Sequence, residues 1–247
     1  IASISKVTHD VVSEVTSDVE NVYLPHAVDD QFFKPFPQEE INNLKISQGL
    51  ENKFIFFWNN RNARRKMSGS LIYWFKKFCD KVGHDKAVLI MHTDSNDPYG
   101  QPIDHLLHHF GVNKGQILIS RDKISPEQLA KMYNVSDCTI NISDAEGFGL
   151  ATLESLSCGT PIIVTMTGGL QEQVTDGEKW FGIGIEPSSK ALIGSQQVPY
   201  IFEDRVSEED VVDAMTKMYE MDKEERKSLG DAGRQHVLEN YSFEDYK

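Results

Sequence analysis

The sequence has few cysteines and no long apolar run. Only three of its 247 residues are cysteines, Cys79, Cys138 and Cys158, and no two of them have the CxxC spacing of metal or redox sites. All three stand in apolar segments, which predicts reduced core thiols and a cytoplasmic protein. No stretch approaches the roughly 20 apolar residues of a membrane-spanning helix, and no signal peptide is recognisable. We therefore predict no transmembrane segment.

Basic residues are also scarce. The chain has 25 Lys and Arg against 38 Asp and Glu, a net charge of −13, and no dense Lys/Arg block. Extensive binding of nucleic acid or of an anionic membrane is therefore disfavoured. The sequence also lacks GxGxxG and the P-loop Gly-Lys-Ser/Thr, which disfavours dinucleotides and ATP. A phosphate ligand would have to be held by a local basic cluster.

Short apolar runs alternate with amphipathic stretches along the chain. The longest such stretch, Ser68 to Val82, has aromatic and aliphatic residues on one helical face. Apolar runs of strand length lie at 53–58, 87–91, 116–119, 138–142 and 162–164. This alternation predicts an α/β protein with a Rossmann-like parallel sheet and helices on both faces. Further helices are expected over 3–20 and 207–240, whereas 186–206 matches no pattern.

Polar or glycine-rich loops directly follow four of the predicted strands. They lie at 59–66, 120–123, 144–149 and 166–169. Parallel sheets bind their ligands at the carboxyl ends of the strands. We therefore expect these four loops to line one edge of the sheet and to form a phosphate site of the nucleotide type.

The loop at 144–149 has the strongest anion-binding signal. Its glycines allow backbone amides to approach a ligand, and the helix predicted to follow it offers unpaired N–H groups and a positive dipole end. Glu146 stands at the mouth of this turn. Glu154 lies about 8 Å further along the helix, on the flank of a stripe formed by Leu150, Leu153 and Leu156. A nucleotide could lie along this helix, with its diphosphate at the turn and its ribose on Glu154.

The two glutamates form a Glu-x7-Glu pattern, with Gly-Phe-Gly after the first and Cys-Gly-Thr-Pro after the second. This pattern resembles the donor-binding signature of the family-4 retaining glycosyltransferases of GT-B fold. The resemblance implies that Glu154 holds the donor ribose and that Glu146 contacts the donor sugar. It also implies contacts to the phosphates and the sugar from the turn itself, at Gly147, Phe148, Gly149 and Leu150. The alternative is a surface helix with two solvated carboxylates.

A basic cluster in the loop at 59–66 extends the resemblance. The family has Gly-Arg after this strand and a lysine five residues beyond the arginine. Arg61 and Lys66 match that spacing, with Asn60 in place of the glycine. The resemblance implies that Arg61 and Lys66 neutralise the leaving diphosphate, so that these two residues and Glu146 are catalytic. A solvated basic loop is the alternative, and the two arginines between Arg61 and Lys66 match no family role.

The loop after the strand at 116–119 is the expected place of the nucleotide base. The resemblance implies backbone contacts there, near Arg121 and Lys123. Three histidines at 105, 108 and 109 have helical spacing, but no Cys or Asp partner is visible, and a metal site is disfavoured. Such glycosyltransferases generally need no bound metal. We predict no metal and no other cofactor.

The resemblance also divides the chain. Residues 26–35 resemble the joint between the two halves of such enzymes, with His26-Ala27 in place of the usual Asn-Gly. Residues 1–30 are then the tail of an acceptor domain and the interdomain joint, and 31–247 are the nucleotide-sugar donor-binding domain. Most of the N-terminal acceptor domain is missing in this interpretation. Residues 241–246 resemble the start of a last helix that crosses back to it.

The predicted function is transfer of a sugar from a nucleoside diphosphate to an acceptor hydroxyl, on a glycan or another molecule, with retention of configuration. GDP-mannose is the expected donor only because the family often uses it. Two alternatives stay open: a non-catalytic nucleotide-sugar-binding module, and an epimerase or phosphorylase of GT-B fold. This chain alone is expected to be incomplete as an enzyme.

Overall fold

The structure, a computed structural model, describes residues 1–243. The strands in this part of the chain are β1 Ala2–Ser3, β2 Val22–Tyr23, β3 Phe54–Asn59, β4 Ala87–His92, β5 Ile117–Ser120, β6 Cys138–Asn141, β7 Ile162–Thr165, β8 Gly182–Ile185, β9 Ser189–Ile193 and β10 Ile201–Arg205. The helices are α1 Lys6–Val15, α2 Gln38–Ser47, α3 Ser68–Val82, α4 Ile103–His109, α5 Pro126–Val135, α6 Leu150–Ser157, α7 Leu170–Val174, α8 Glu208–Glu220 and α9 Lys223–Asn240.

Six strands form the central sheet, in the order β5-β4-β3-β6-β7-β8, and all of them are parallel. The predicted Rossmann-like α/β fold is confirmed. The chain builds outward from β3 to β5 and then returns to place β6 on the other side of β3. The switch point between β3 and β6 is where ligands bind in open sheets of this kind.

The core lies on both faces of this sheet, because successive side chains of a strand point to opposite sides. From β3, Phe56 and Trp58 pack in the cluster that includes α3, α4 and α8. Ile55 and Phe57 point the other way, into the cluster that includes α5 and α6. The helices of both faces thus hold the strand ends in place. The three cysteines are buried and unpaired with one another.

Most predicted helix boundaries agree with the structure. The predicted helix from Ser68 to Val82 is observed as α3. Helix α5 begins after a Ser125 cap, reinforced by a reciprocal hydrogen bond with Gln128. The helix expected over 3–20 is shorter: α1 begins after the Ser5 cap and ends at Val15, because Thr16 is already extended.

Residues 186–206, which matched no sequence pattern, contain an antiparallel pair of strands. Strands β9 and β10 pair from Ser189 opposite Arg205 to Ile193 opposite Ile201. This hairpin follows β8 at the edge of the sheet and precedes α8. Helix α2 and strand β8 were not predicted either.

The first residues form a small separate unit, in which β1 and β2 pair in parallel and α1 connects them. It is attached to α7 through Glu172, whose carboxylate accepts hydrogen bonds from the Lys6 amide at 2.7 Å and the Tyr23 hydroxyl at 2.9 Å. The proposed domain division near residue 30 stays a prediction. The predicted start of a last helix at 241–246 lies mostly outside the described residues.

No helix in residues 1–243 has both the length and the apolar character needed to cross a membrane.

Candidate functional site

The candidate site lies at the switch point of the sheet, where the loops after β3 and β6 meet. After β3 the chain forms a short 3-10 turn at Arg64–Lys66. After β6 the loop 144–149 leads into α6. The two loops are joined by a backbone hydrogen bond from the Asp144 amide to the Arg65 carbonyl, 2.9 Å long.

The turn before α6 requires its glycine at position 149. Gly149 caps the helix at φ 100°, in the left-handed region, and a Cβ there would lie 2.6 Å from Leu170 Cδ2. Within residues 1–243, the amides of Gly147, Phe148 and Gly149 donate to no protein acceptor. Because they precede the first turn of a helix, these amides form an anion site of the kind that binds phosphate.

The loop after β7 supports this turn from behind. A Cβ on Gly168 would lie 1.7 Å from the Glu146 carbonyl oxygen, and one on Gly169 would lie 2.7 Å from Phe148 Cα. The glycines at 168 and 169 therefore allow two backbone segments to touch. Of the four loops expected to line one edge, three are thus in direct contact.

Lys66 and Glu146 meet in the middle of the site. The Lys66 ammonium contacts Glu146 Oε2, and both side chains are 9% exposed. Burial lowers the pKa of Lys66, and the Glu146 carboxylate opposes that shift. The structure brings these two predicted site residues together from segments 80 residues apart.

Arg65 also reaches Glu146, although no sequence signal distinguished it from its basic neighbours. Its Nη1 donates to the Ala145 carbonyl at 2.6 Å and lies 3.5 Å from Glu146 Oε2. The geometry thus places a guanidinium and an ammonium on one carboxylate. That arrangement provides two cations for a ligand phosphate.

Arg61, the other predicted cation, is held elsewhere. Its Nε lies 2.5 Å from Asp97 Oδ2, and its guanidinium carbon lies 5.4 Å from the centre of the Tyr99 ring. The side chain is 63% exposed. Asn60 is half-buried at the end of β3, where its amide donates to the His92 carbonyl at 3.4 Å. Arg61 and Lys66 are therefore paired with two different carboxylates.

Glu154, the predicted ribose ligand, is held by hydrogen bonds that involve uncharged side chains and that were not predicted. The Tyr133 hydroxyl donates to Glu154 Oε2 at 2.7 Å, and the Asn59 side-chain amide donates to the Tyr133 oxygen at 2.8 Å. The Asn59 contact orients the phenol so that its proton points at Glu154. Burial raises the pKa of Glu154 to about 7, partly opposed by the Tyr133 hydrogen bond.

Two residues of the predicted turn have side chains in unexpected places. Phe148 is buried against His26 and Tyr241, with ring centroids 5.3 and 5.8 Å away. Only the backbone amide of Phe148 can therefore contribute to the anion-binding turn. Leu150 is 46% exposed, so the predicted leucine stripe does not include it. The reason is that α6 begins at Leu150, whose side chain stands at the rim of the turn.

Arg121 and Lys123 lie in the loop after β5, at the far side of the site. Strand β5 is two strands from β3, or roughly 10 Å. Arg121 Nε donates to Ser95 Oγ at 2.9 Å, and its Nη2 is 2.5 Å from Asp104 Oδ1. Lys123 is exposed. A nucleotide extended across the carboxyl ends of the strands would be long enough to reach this loop.

The three histidines of the metal alternative do not converge. His105 and His109 stack with ring centroids 6.4 Å apart. Within the described residues, no three His, Cys, Asp or Glu side chains are grouped to hold a metal ion.

Three comparisons relate this fold and site to known proteins. The family model for glycosyl transferases group 1 matches residues 40–236. An alpha-galactosylglucosyldiacylglycerol synthase of Streptococcus pneumoniae is 24% identical over 185 residues, which are 74% of this chain and 47% of that protein. A D-inositol 3-phosphate glycosyltransferase of Acidothermus cellulolyticus is 45% identical over 53 residues, or 22% of this chain and 12% of that protein.

Solved structures share the fold over nearly the whole chain. A sucrose-phosphate synthase from Thermosynechococcus elongatus has a TM-score of 0.76 at 20% identity, covering 99% of this chain and 55% of its own. Anabaena HepE in complex with UDP and glucose also has a TM-score of 0.76, at 15% identity, covering 99% and 60%. This chain thus spans little more than half of these structures.

The fold, the switch-point site and the family match agree with one another, and the family match includes both glutamates and the basic loop. The chain belongs to the family of glycosyl transferases group 1.

Proposed function

We propose that this chain is the donor-binding half of a glycosyltransferase, which transfers a sugar from a nucleoside diphosphate to an acceptor hydroxyl with retention of configuration. The observation that carries the proposal is the buried contact between Lys66 and Glu146 at the mouth of the anion-binding turn. In this proposal the Lys66 ammonium binds phosphate, and the Glu146 carboxylate beside it binds sugar hydroxyls. Glu154, further along α6, is suited to the ribose hydroxyls.

The reaction breaks the bond between the sugar and the diphosphate. As that bond breaks, negative charge builds up on the departing phosphate oxygen. The amides of residues 147–149, the positive end of α6, Lys66 and Arg65 can stabilise that charge. Arg61 contributes from further out, because Asp97 holds it. The acceptor hydroxyl attacks the same face of the sugar and gives its proton to the departing phosphate oxygen, so the product keeps the configuration of the donor.

The donor sugar and base are part of the proposal. We propose GDP-mannose, because the family that the Glu-x7-Glu signature resembles often uses it. UDP-glucose is the rival, since two structures of similar fold contain UDP with glucose and UDP-glucose. No metal or other cofactor is needed for a leaving group that is stabilised in this way, and we expect activity without one.

The direct test is calorimetric titration of the 247-residue chain with GDP-mannose, UDP-glucose and the matching nucleoside diphosphates. We expect one nucleotide sugar and its diphosphate to bind, and Lys66→Ala to weaken the diphosphate roughly tenfold or more, as for a lost charged hydrogen bond. If no nucleotide or nucleotide sugar binds, the donor-site proposal is wrong.

Activity separates the remaining alternatives. The 247-residue chain should transfer no sugar by itself, because it positions no acceptor hydroxyl. A longer protein that also contains an acceptor half should transfer the sugar with retention. Binding without transfer by that longer protein would favour a non-catalytic module. Cofactor absorbance of pyridoxal phosphate would identify a phosphorylase instead.

A further inference from the structure

The hairpin of β9 and β10, residues 189–205, is joined at its base to both loops of the donor site. The Asp204 amide donates to the Asp144 carbonyl at 2.8 Å, and the Asp144 amide donates to the Arg65 carbonyl at 2.9 Å. A chain of backbone hydrogen bonds thus runs from the hairpin through the loop after β6 to the loop after β3.

Four charged side chains reinforce this joint. The Asp144 carboxylate, 1% exposed, lies 2.8 Å from Arg205 Nη1 and 4.0 Å from Arg64 Nη1. Glu203, 3% exposed, accepts from Arg64 Nη1 at 3.0 Å and from Arg205 Nη2 at 2.7 Å. We call these four residues the charge ring. Two guanidiniums, 54% and 30% exposed, thus balance the charges of two buried carboxylates.

The hairpin is attached through this ring and not through its apolar side chains. Side chains alternate along a strand, so Glu203 and Arg205 point to one face of β10 and Phe202 to the other. Phe202 and its cross-strand partner Leu192 are 64% and 59% exposed. Charged contacts with fixed geometry therefore determine how the hairpin sits against the donor loops.

The ring lies next to the residues that would contact the donor. Asp144 is two residues before Glu146, and Arg64 is two residues before Lys66. We propose that Arg205 is a positioning residue for Glu146: it holds Asp144, Asp144 fixes the start of the turn, and Glu203 keeps Arg205 in place. This inference rests on the proposed function, since Glu146 is taken to contact the donor sugar.

The loss of Arg205 should therefore act on the sugar more than on the diphosphate. The amides of residues 147–149 and Lys66 remain in Arg205→Met, whereas Asp144 loses its nearest cation and Glu146 loses its fixed position. We expect the affinity for the nucleotide sugar to fall about tenfold, which is the size of a coupling between contacting residues, and that for the matching diphosphate by less than about threefold.

The test is calorimetric titration of Arg205→Met with both ligands, beside two further variants. Arg205→Lys keeps the charge and should recover part of the loss. Lys190→Met is the matched control: Lys190 lies on the same hairpin, is 70% exposed, and pairs at 3.7 Å with Asp204 outside the ring. It should change neither affinity. If Arg205→Met does not fold, Glu203→Gln replaces it and should show a smaller loss of the same selectivity.

The ratio of the two affinities decides the outcome, because a purely structural role would lower both affinities together. Equal losses for sugar and diphosphate, or no loss, in a protein whose wild type binds both would overturn the positioning role and leave the proposed function intact. If the wild type binds neither ligand, the proposed function fails, and this inference fails with it.

Discussion

The two glutamates of the Glu-x7-Glu pattern lie eight positions apart, and the charges of their neighbours differ. Glu146 is surrounded by cations, with the Lys66 ammonium in contact and Arg65 at 3.5 Å. Glu154 has no cation partner among the described residues and is held by the Tyr133 hydroxyl, which Asn59 orients. Accordingly, burial raises the pKa of Glu154 to about 7.

This difference shows that the spacing of a motif fixes where a carboxylate stands, while its neighbours fix what it can do. A carboxylate in contact with two cations, such as Glu146, has its charge balanced by its neighbours. A buried carboxylate that has a phenol and no cation beside it, such as Glu154, has a raised pKa and is suited to hydroxyl groups. The four predictions below test this contrast, from the largest expected effect to the smallest.

The largest effect is expected from Lys66→Met, because it leaves the Glu146 carboxylate with only the more distant Arg65. Breaking one side of a buried ion pair costs about 3 kcal/mol of unfolding free energy. Urea denaturation of the variant and the wild type measures it. The double variant Lys66→Met with Glu146→Gln should recover most of the loss. A single variant as stable as the wild type would show that Glu146 does not depend on Lys66.

The second effect is a pH dependence of stability that belongs to Glu154. Its pKa is about 7 in the folded protein, against an ordinary value of 4.5, so the folded state binds this proton more tightly. That contribution is complete below pH 4.5 and is lost as the pH rises through 7. Glu154→Gln does not titrate, so its stability relative to the wild type should increase by about 2 to 3 kcal/mol between pH 4.5 and 8.

Chemical denaturation at a series of pH values measures this difference. Glu39→Gln, at an exposed position on α2, is the matched control and should show no such trend. A difference between Glu154→Gln and wild type that stays constant with pH would contradict the buried, cation-free environment of Glu154.

The third prediction separates the two glutamates by ligand. Glu154 is assigned to the ribose, which does not change in the reaction, so Glu154→Ala should weaken diphosphate and nucleotide sugar alike. The expected loss is about 1.5–3 kcal/mol of binding free energy. Glu146→Ala should weaken only the nucleotide sugar. Calorimetric titration of both variants with both ligands measures these affinities. Equal losses of affinity for the two ligands in Glu146→Ala would refute the assignment of Glu146 to the sugar.

The smallest effect is expected from Arg61→Ala. Its side chain is mostly exposed and already paired with Asp97, so its contribution to diphosphate binding should be screened by salt. We expect a loss of less than about fivefold in affinity, larger at low than at high ionic strength. If Arg61→Ala loses as much diphosphate affinity as Lys66→Ala, Arg61 contributes as much to diphosphate binding as Lys66 does.

The fold could be predicted because its central strands are apolar runs between helical patterns. Strands β3 and β4 and helix α3 were found within one residue of their expected places. Strand β8 was not predicted because Gly182 and Gly184 leave only two β-branched residues, Ile183 and Ile185, in a strand of four. The hairpin was not predicted because its outer side chains are exposed, so its strands do not show the alternation of apolar and polar residues that predicts a strand.

The site was only partly predictable, for a different reason. The turn, both glutamates and Lys66 were predicted from short continuous motifs that resemble the family's, and the structure brings Lys66 and Glu146 together. Tyr133 reaches Glu154 from 21 residues away, through the packing of α5 on α6, and Glu203 reaches Arg64 across 139 residues. Contacts of that kind are made by the tertiary structure, and no spacing in the sequence encodes them.

The attachment of residues 1–24 to Glu172 has a mechanical consequence. Helix α7, which carries Glu172, begins directly after Gly169, and that glycine touches the backbone of the turn before α6. On its other side the unit approaches the same turn, since a Cβ on Gly147 would lie 3.5 Å from Ile4 Cδ1. Any shift of this small unit would therefore reach the turn at two points, through Gly169 and through Gly147.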